Sequence, residues 1–165
     1  MGEVQSLPWP RTDTFEENSF MKKPSGIIDD LTVQYWFDKN DVVNHPNNND
    51  CFGQNNREKY VTIEEGRTKG KSFKRLHRWR YSPTACYGNN EVHLHPYLPR
   101  RISVAEALAI QSVPKDFVLP ADIPLSVKFK TVGNGVPFLL AYGIAKELHS
   151  WIEQNETIIK GEENG

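Results

Sequence analysis

Cysteine is scarce in this chain: Cys51 and Cys86 are the only two among 165 residues, and they form no Cys-x-x-Cys pair. That excludes a disulfide framework and leaves reduced thiols as the default. Long apolar runs are missing as well. None approaches the roughly 18 residues of a membrane span, and the start, MGEVQSLPWP, has neither a basic n-region nor an apolar h-region. A cytoplasmic protein without a membrane partner is expected. Net charge is also small, −1, which by itself argues against nucleic acid. What is present is 38% hydrophobic, 11% aromatic and 25% charged residues, enough for one globular domain of moderate core.

The charge is unevenly spread. "RTKGKSFKRLHRWR" holds Arg67, Lys69, Lys71, Lys74, Arg75, Arg78 and Arg80 with no acid, and Phe73 and Trp79 lie among them. Such a segment is either a solvated basic loop or a set of phosphate contacts. "HLH" at His93 to His95 invites a metal reading, but no Cys or acidic residue stands nearby at zinc spacing, so no metal is expected.

Organisation along the chain follows from its breakers. Residues 1 to 26 carry Pro8, Pro10 and Pro24 with few periodic apolar positions, and read as a lead-in segment that a partner could order. "LTVQYWF" (Leu31 to Phe37) has the β-branched and aromatic content of a strand. "NHPNNNDCFGQNNREK" is loop composition, and Pro83, Gly88, Pro96 and Pro99 cut the following region into short irregular β pieces. Helical signals appear only after Arg101. "SVAE" is a capping box pairing Ser103 with Glu106, so a short helix should run from about Val104 to Ser112 and stop at Pro114. In the last helix Leu140, Ile144, Leu148 and Ile152 recur every four residues, while Lys146, Glu147, His149 and Glu153 fall largely on the other face. After Glu153 the polar tail should fray.

Gly133, Asn134 and Gly135 stand directly before that last apolar segment. Either Asn134 caps a helix start and the glycines make the turn, or the turn holds a carboxylate or phosphate against free N–H groups. Glycine would serve there through a positive backbone angle or a close approach.

These residues also carry a resemblance. "PRRISVAEALAIQSVPKDF" and "FKTVGNGVPFLLAYGIAKEL" resemble the last two conserved blocks of the DNA (cytosine-5) methyltransferases. "VVNH" and "GKSFKRLHRWRYSPTACYGNN" are similar to segments of that family's target-recognition region, so the likeness covers about residues 42 to 153. Ala105 and Ala109 stand where basic residues are common, Ile110 where Leu is usual, Lys115 where an acid is frequent, and Phe138 in place of a second proline. The family's Phe-x-Gly-x-Gly turn, its Pro-Cys nucleophile and its Glu-Asn-Val strand are all absent here, and Cys86 reads as a packed thiol.

The resemblance implies the C-terminal part of such an enzyme, like the small subunit of a split restriction-modification methyltransferase, inactive alone and without a catalytic residue of its own. Met1 followed by a non-apolar lead-in suits a separate gene product. The alternative is a stand-alone nucleic-acid-binding module. The implied fold class is α+β: a small irregular β-rich target-recognition domain, then a short helix and a long C-terminal helix that docks on a missing or separate catalytic α/β domain. The divisions expected are a lead-in at 1–30, the recognition region at 31–118, the turn and last helix completing the cofactor-binding domain at 119–153, and a frayed tail at 154–165. The implied cofactor is S-adenosylmethionine, approached by Gly133, Asn134, Gly135 and Val136. The implied partners are double-stranded DNA and a larger methyltransferase chain bearing the glycine-rich and Pro-Cys motifs. DNA contacts fall to Lys74, Arg75, Arg78, Arg80, Thr84 and Arg101, with Asn89, Asn90 and the Asn47 to Asn56 loop for base edges.

Overall fold

The computed structural model describes residues 4, 6–53, 57–70, 72–85, 87 and 91–161, with side chains through Asn155. A 3-10 turn (Asp29–Leu31) leads into α1 (Val33–Lys39), and α2 (Arg57–Thr62) follows. Then come α3 (Val104–Ile110), α4 (Leu125–Asn134) and α5 (Phe138–Gly161). No helix among the described residues is long and apolar enough to cross a membrane.

The stretch expected as a strand is helical, because Thr32 Oγ1 accepts the Tyr35 N–H at 3.3 Å and so starts α1. Val33 and Phe37, four apart, are buried on one side of it. The β-branched and aromatic composition pointed the wrong way where a cap and a helical spacing decided. Helices also begin well before Arg101, and α2 takes in the "REK" of the segment expected as loop.

The capping box is present as both of its bonds: Ser103 N donates to Glu106 Oε2 at 2.7 Å and Glu106 N to Ser103 Oγ at 3.2 Å. All residues from Val104 to Ala109 are buried. A helix enclosed all round must be small on several sides, and Ala105, Ala107 and Ala109 let α1 and α4 pack against it. Positively charged residues at 105 and 109 would have no solvent to reach.

The β-rich expectation is corrected: among the described residues there is no strand, only the isolated bridges Asp13–Glu65, Arg75–Leu94 and Leu94–Arg101. Leu94 thus lies between two neighbouring segments for one residue, and Pro96 and Pro99 prevent a ladder from continuing. Carbonyls that a sheet would have paired are taken by one side chain. Arg75, fully buried, donates through Nε to Ile63 O at 2.7 Å, through Nη1 to His95 O and to Leu98 O at 3.1 Å, and through Nη2 to Tyr60 O. The Phe15 ring lies 4.0 Å from its guanidinium carbon. The lead-in segment runs over this body: Asn18 N donates to Tyr97 O at 2.9 Å, and Trp79 Nε1 to Met21 O at 2.9 Å.

Helix α5 differs from the others. It continues to Gly161 instead of fraying after Glu153, in keeping with apolar Ile158 and Ile159, both about two turns beyond Ile152 in the sequence. Leu140, Ile144, Leu148 and Trp151 are each more than half exposed. The apolar stripe is there, but among the described residues nothing covers it.

Candidate functional site

A cleft of about 500 Å³ opens where four parts of the chain meet: the start of α1, residues 81–85, the end of α3, and residues 133–140. Trp36, Thr84, Gln111, Gly133, Gly135 and Leu140 are among its walls. The turn singled out in the sequence and the Thr after Pro83 therefore share one cleft, although 49 positions separate Thr84 from Gly133.

The turn is not built as expected. Asn134 is the last residue of α4 and exposed, so it does not cap a helix start. Gly135 has φ −72°, an angle any residue adopts. The glycine with a steric reason is Gly133: a Cβ there would stand 2.9 Å from Tyr87 N and 3.2 Å from Tyr87 Cβ. Helix α4 thus rests directly on the backbone that follows Thr84. Val136 is exposed just beyond.

The start of α5 is occupied as well. Phe138 N donates to Gln111 O at 2.9 Å, and Leu139 N to Ser112 Oγ at 3.0 Å. Ser112 holds φ 53° to place that hydroxyl, a conformation costing a non-glycine residue about 1 kcal/mol or more. With these donors taken, an anion would have to be met by the turn and not by the helix start.

The basic segment splits in two. Arg75 and Arg78 are buried, and their guanidinium groups are committed inside the protein. Arg78 makes a two-bond pair with Glu65, Nε to Oε1 at 2.9 Å and Nη2 to Oε2 at 2.8 Å, and reaches Ser19 O at 2.6 Å. Lys74, Arg80 and Arg101 are half-buried, and Thr84 is exposed. Asn89, Asn90, Cys86 and the end of the Asn47 to Asn56 loop lie outside the described residues. Asn47 itself is buried, with Nδ2 donating to Leu119 O at 2.9 Å and Oδ1 accepting from Leu119 N at 2.9 Å.

The sequence reading passed over Lys59 and did not assign Phe73. Phe73 sits at φ 57° with Lys59 Nζ 5.1 Å and Arg101 Cζ 5.9 Å from its ring centre. Arg101 also lies 5.7 Å from the Phe52 ring. A lone aromatic inside a run of cations was the available signal, but Trp79 gave the same one and proves to be a packing residue.

Among the described residues, no group of three or more His, Cys, Asp or Glu is placed to hold a metal. Cys51 Sγ donates to Arg101 O at 3.1 Å, and burial pushes its thiol pKa up, away from a reactive thiolate. His95 accepts at Nδ1 from Tyr97 N at 3.3 Å and Leu98 N at 3.1 Å, while Nε2 lies 3.4 Å from Glu106 Oε1. This is the neutral tautomer, since a proton on Nδ1 would displace two backbone donors. Burial holds its pKa down at about 3, against the opposing pull of Glu106.

Stability should therefore fall in mild acid. Above pH ~6.5 His95 is neutral in both states; below it the unfolded chain gains a proton that the folded chain refuses until pH ~3. Between pH ~6.5 and ~5 the expected loss is about 2 kcal/mol from His95 alone. Urea unfolding across that range should show the decline, and His95→Gln should flatten it by about one proton. An unchanged slope in that variant would refute the assignment.

Comparison with known proteins gives two kinds of finding. Residues 13–150 match the family described as C-5 cytosine-specific DNA methylase. Over 148 residues the chain is 60% identical to the Type II methyltransferase M.NmeDI of Neisseria meningitidis serogroup C, covering 89% of this chain and 35% of that protein. Over 61 residues it is 48% identical to the Putative type II methyltransferase M.OihORF3336P of Oceanobacillus iheyensis, covering 37% of this chain and 13% of that one. No solved structure matches.

Proposed function

The chain belongs to the C-5 cytosine-specific DNA methylase family, and from that premise we propose that it is the C-terminal, DNA-recognising part of a methyltransferase whose catalytic core is supplied by a larger chain. The observation that carries this reading is the unpartnered apolar stripe of α5, with Leu140, Ile144, Leu148 and Trp151 exposed by 54–59%. A soluble chain rarely leaves so continuous an apolar face open unless another surface covers it. The chain spans only 35% of its Neisseria relative, so that protein has ample sequence to form such a surface. A stand-alone nucleic-acid-binding module would leave the stripe without a purpose.

In this reading, residues 31–118 form the recognition region, and the segment from 119 onward completes the cofactor-binding domain. S-adenosylmethionine would supply the methyl group. The cleft suits one end of it: Gly135 lies exposed in its wall, the Asn134 side chain is exposed beside it, and Trp36 and Leu140 give apolar walls. The rest of the cofactor's pocket must belong to the larger chain. Because a stacked cytosine cannot be reached, the larger chain would take the base out of the duplex and attack it with its own cysteine. This chain would hold the DNA in register through Lys74, Arg80, Thr84 and Arg101. Arg75 and Arg78 act one step removed, by shaping the body that carries them.

Methylation assays test the division of labour. The purified chain should transfer no methyl group to DNA, and adding a larger chain that carries the glycine-rich and Pro-Cys motifs should restore transfer. Methylation by the chain alone, or none from the reconstituted pair, would overturn the proposal.

A further inference from the structure

Phe73 is the one aromatic residue of the basic segment whose conformation its surroundings do not explain. Its φ of 57° is unfavourable for a bulky side chain, and a glycine would sit there without strain. One flank of the ring meets Tyr60, with ring centres 6.1 Å apart, yet Phe73 stays half-exposed. Two cations from distant parts of the chain converge on it: Lys59 from α2 and Arg101 from the segment before α3. Among the described residues neither has a carboxylate partner, nor does the adjacent Lys74, whereas Arg57, Arg78, Arg100 and Lys128 all do. Arg101 Nε is buried without an acceptor.

An aromatic ring in a strained backbone, ringed by unpaired positive charges, matches what a nucleic-acid strand offers: apolar base and sugar faces between phosphates. We propose that Phe73 is a DNA-contacting residue, its ring packing against the base and sugar of one strand while Lys59, Lys74 and Arg101 meet the flanking phosphates. The inference rests on the DNA-recognition reading above and adds to it a named apolar contact. It also gives the strain a purpose, since Phe73 is then held where the DNA passes.

The test uses the reconstituted two-chain enzyme with a fluorescently labelled duplex of mixed sequence, and compares Phe73→Gly, Phe73→Leu and Phe73→Trp. Phe73→Gly removes both ring and strain, and should weaken DNA binding roughly tenfold or more with the melting temperature of this chain unchanged or raised. Phe73→Trp should bind within about threefold of the wild type. A ring contact releases no counterions, so the salt dependence should keep its slope in these variants, whereas Lys59→Gln and Arg101→Gln should each lower it by about one unit. If Phe73→Gly lowers the melting temperature, Phe73→Leu decides: stability recovered without binding supports the proposal, and both recovered reduces the ring to packing and overturns it. Wild-type binding by Phe73→Gly also overturns it. An enzyme that methylates DNA normally with any of these outcomes leaves the two-chain function standing.

Discussion

Arg75→Met is expected to unfold the body of the protein at ordinary temperature. The guanidinium is the donor for the carbonyls of Tyr60, Ile63, His95 and Leu98, which come from two distant parts of the chain. Methionine fills much of the volume and donates nothing. A buried acceptor stripped of its partner costs about 1–3 kcal/mol; Leu98 O keeps the Arg100 N–H at 2.8 Å, so the other three amount to about 3 kcal/mol or more. That is a large part of the 5–15 kcal/mol that holds a typical domain together. Arg75→Lys should fare little better, because one ammonium with three donors on a flexible stem cannot reproduce the planar fork. Burial holds the Arg75 pKa down at about 10, against the opposing pull of Glu65, so the desolvated charge already carries a cost before any acceptor is lost. Circular dichroism melts of both variants beside Lys74→Gln give the measurement. A melting temperature for Arg75→Met equal to that of Lys74→Gln would return Arg75 to the surface and to the phosphate role its sequence context suggests.

Ile144→Asp combined with Leu148→Asp should abolish association with the larger methyltransferase chain while leaving this chain folded. Each of these side chains is more than half exposed, and no packing of α5 on the other helices depends on them. Once covered by a partner, each would contribute about 1.5–3 kcal/mol, so losing both should weaken the pair by about a thousandfold before the cost of burying a carboxylate is counted. Calorimetric titration of the two chains reads the affinity, and a melt of this chain alone reads the fold. Lys146→Ala with His149→Ala, on the opposite face, serves as the control and should change neither. Undiminished association in the aspartate variant would remove α5 from the interface, and with it the main support for a two-chain enzyme.

The parts of this fold that were legible in the sequence are those decided within a few residues. The capped helix α3 follows from Ser103 and Glu106, which satisfy each other's backbone, and the four-residue recurrence from Leu140 to Ile152 follows from the pitch of α5. The body around Leu94 was not legible. Arg75 reaches carbonyls 12 to 23 positions away, and a run of cations reads as surface until the acceptors that remove it from water are known. Arg75, Leu76, His77 and Arg78 are buried in succession, a pattern with neither helical nor strand period. The Gly-Asn-Gly turn was found for its composition, but its geometry depends on contacts with Tyr87 and Ser112 that local reasoning does not supply.

The bond from Leu139 N to Ser112 Oγ has a mechanical side. Helix α5 has 24 residues and so extends about 36 Å, yet among the described residues its bonds to the body lie near its first turn. A rotation at Ser112 would act on it as on a lever. A swing of about 10° there would carry the far tip about 6 Å, more than one helical turn, enough to shift the stripe by a full step along whatever surface receives it. The direction in which the stripe points is thus set at two adjoining acceptors, the Gln111 carbonyl and the Ser112 hydroxyl, the latter on a residue held in a left-handed conformation.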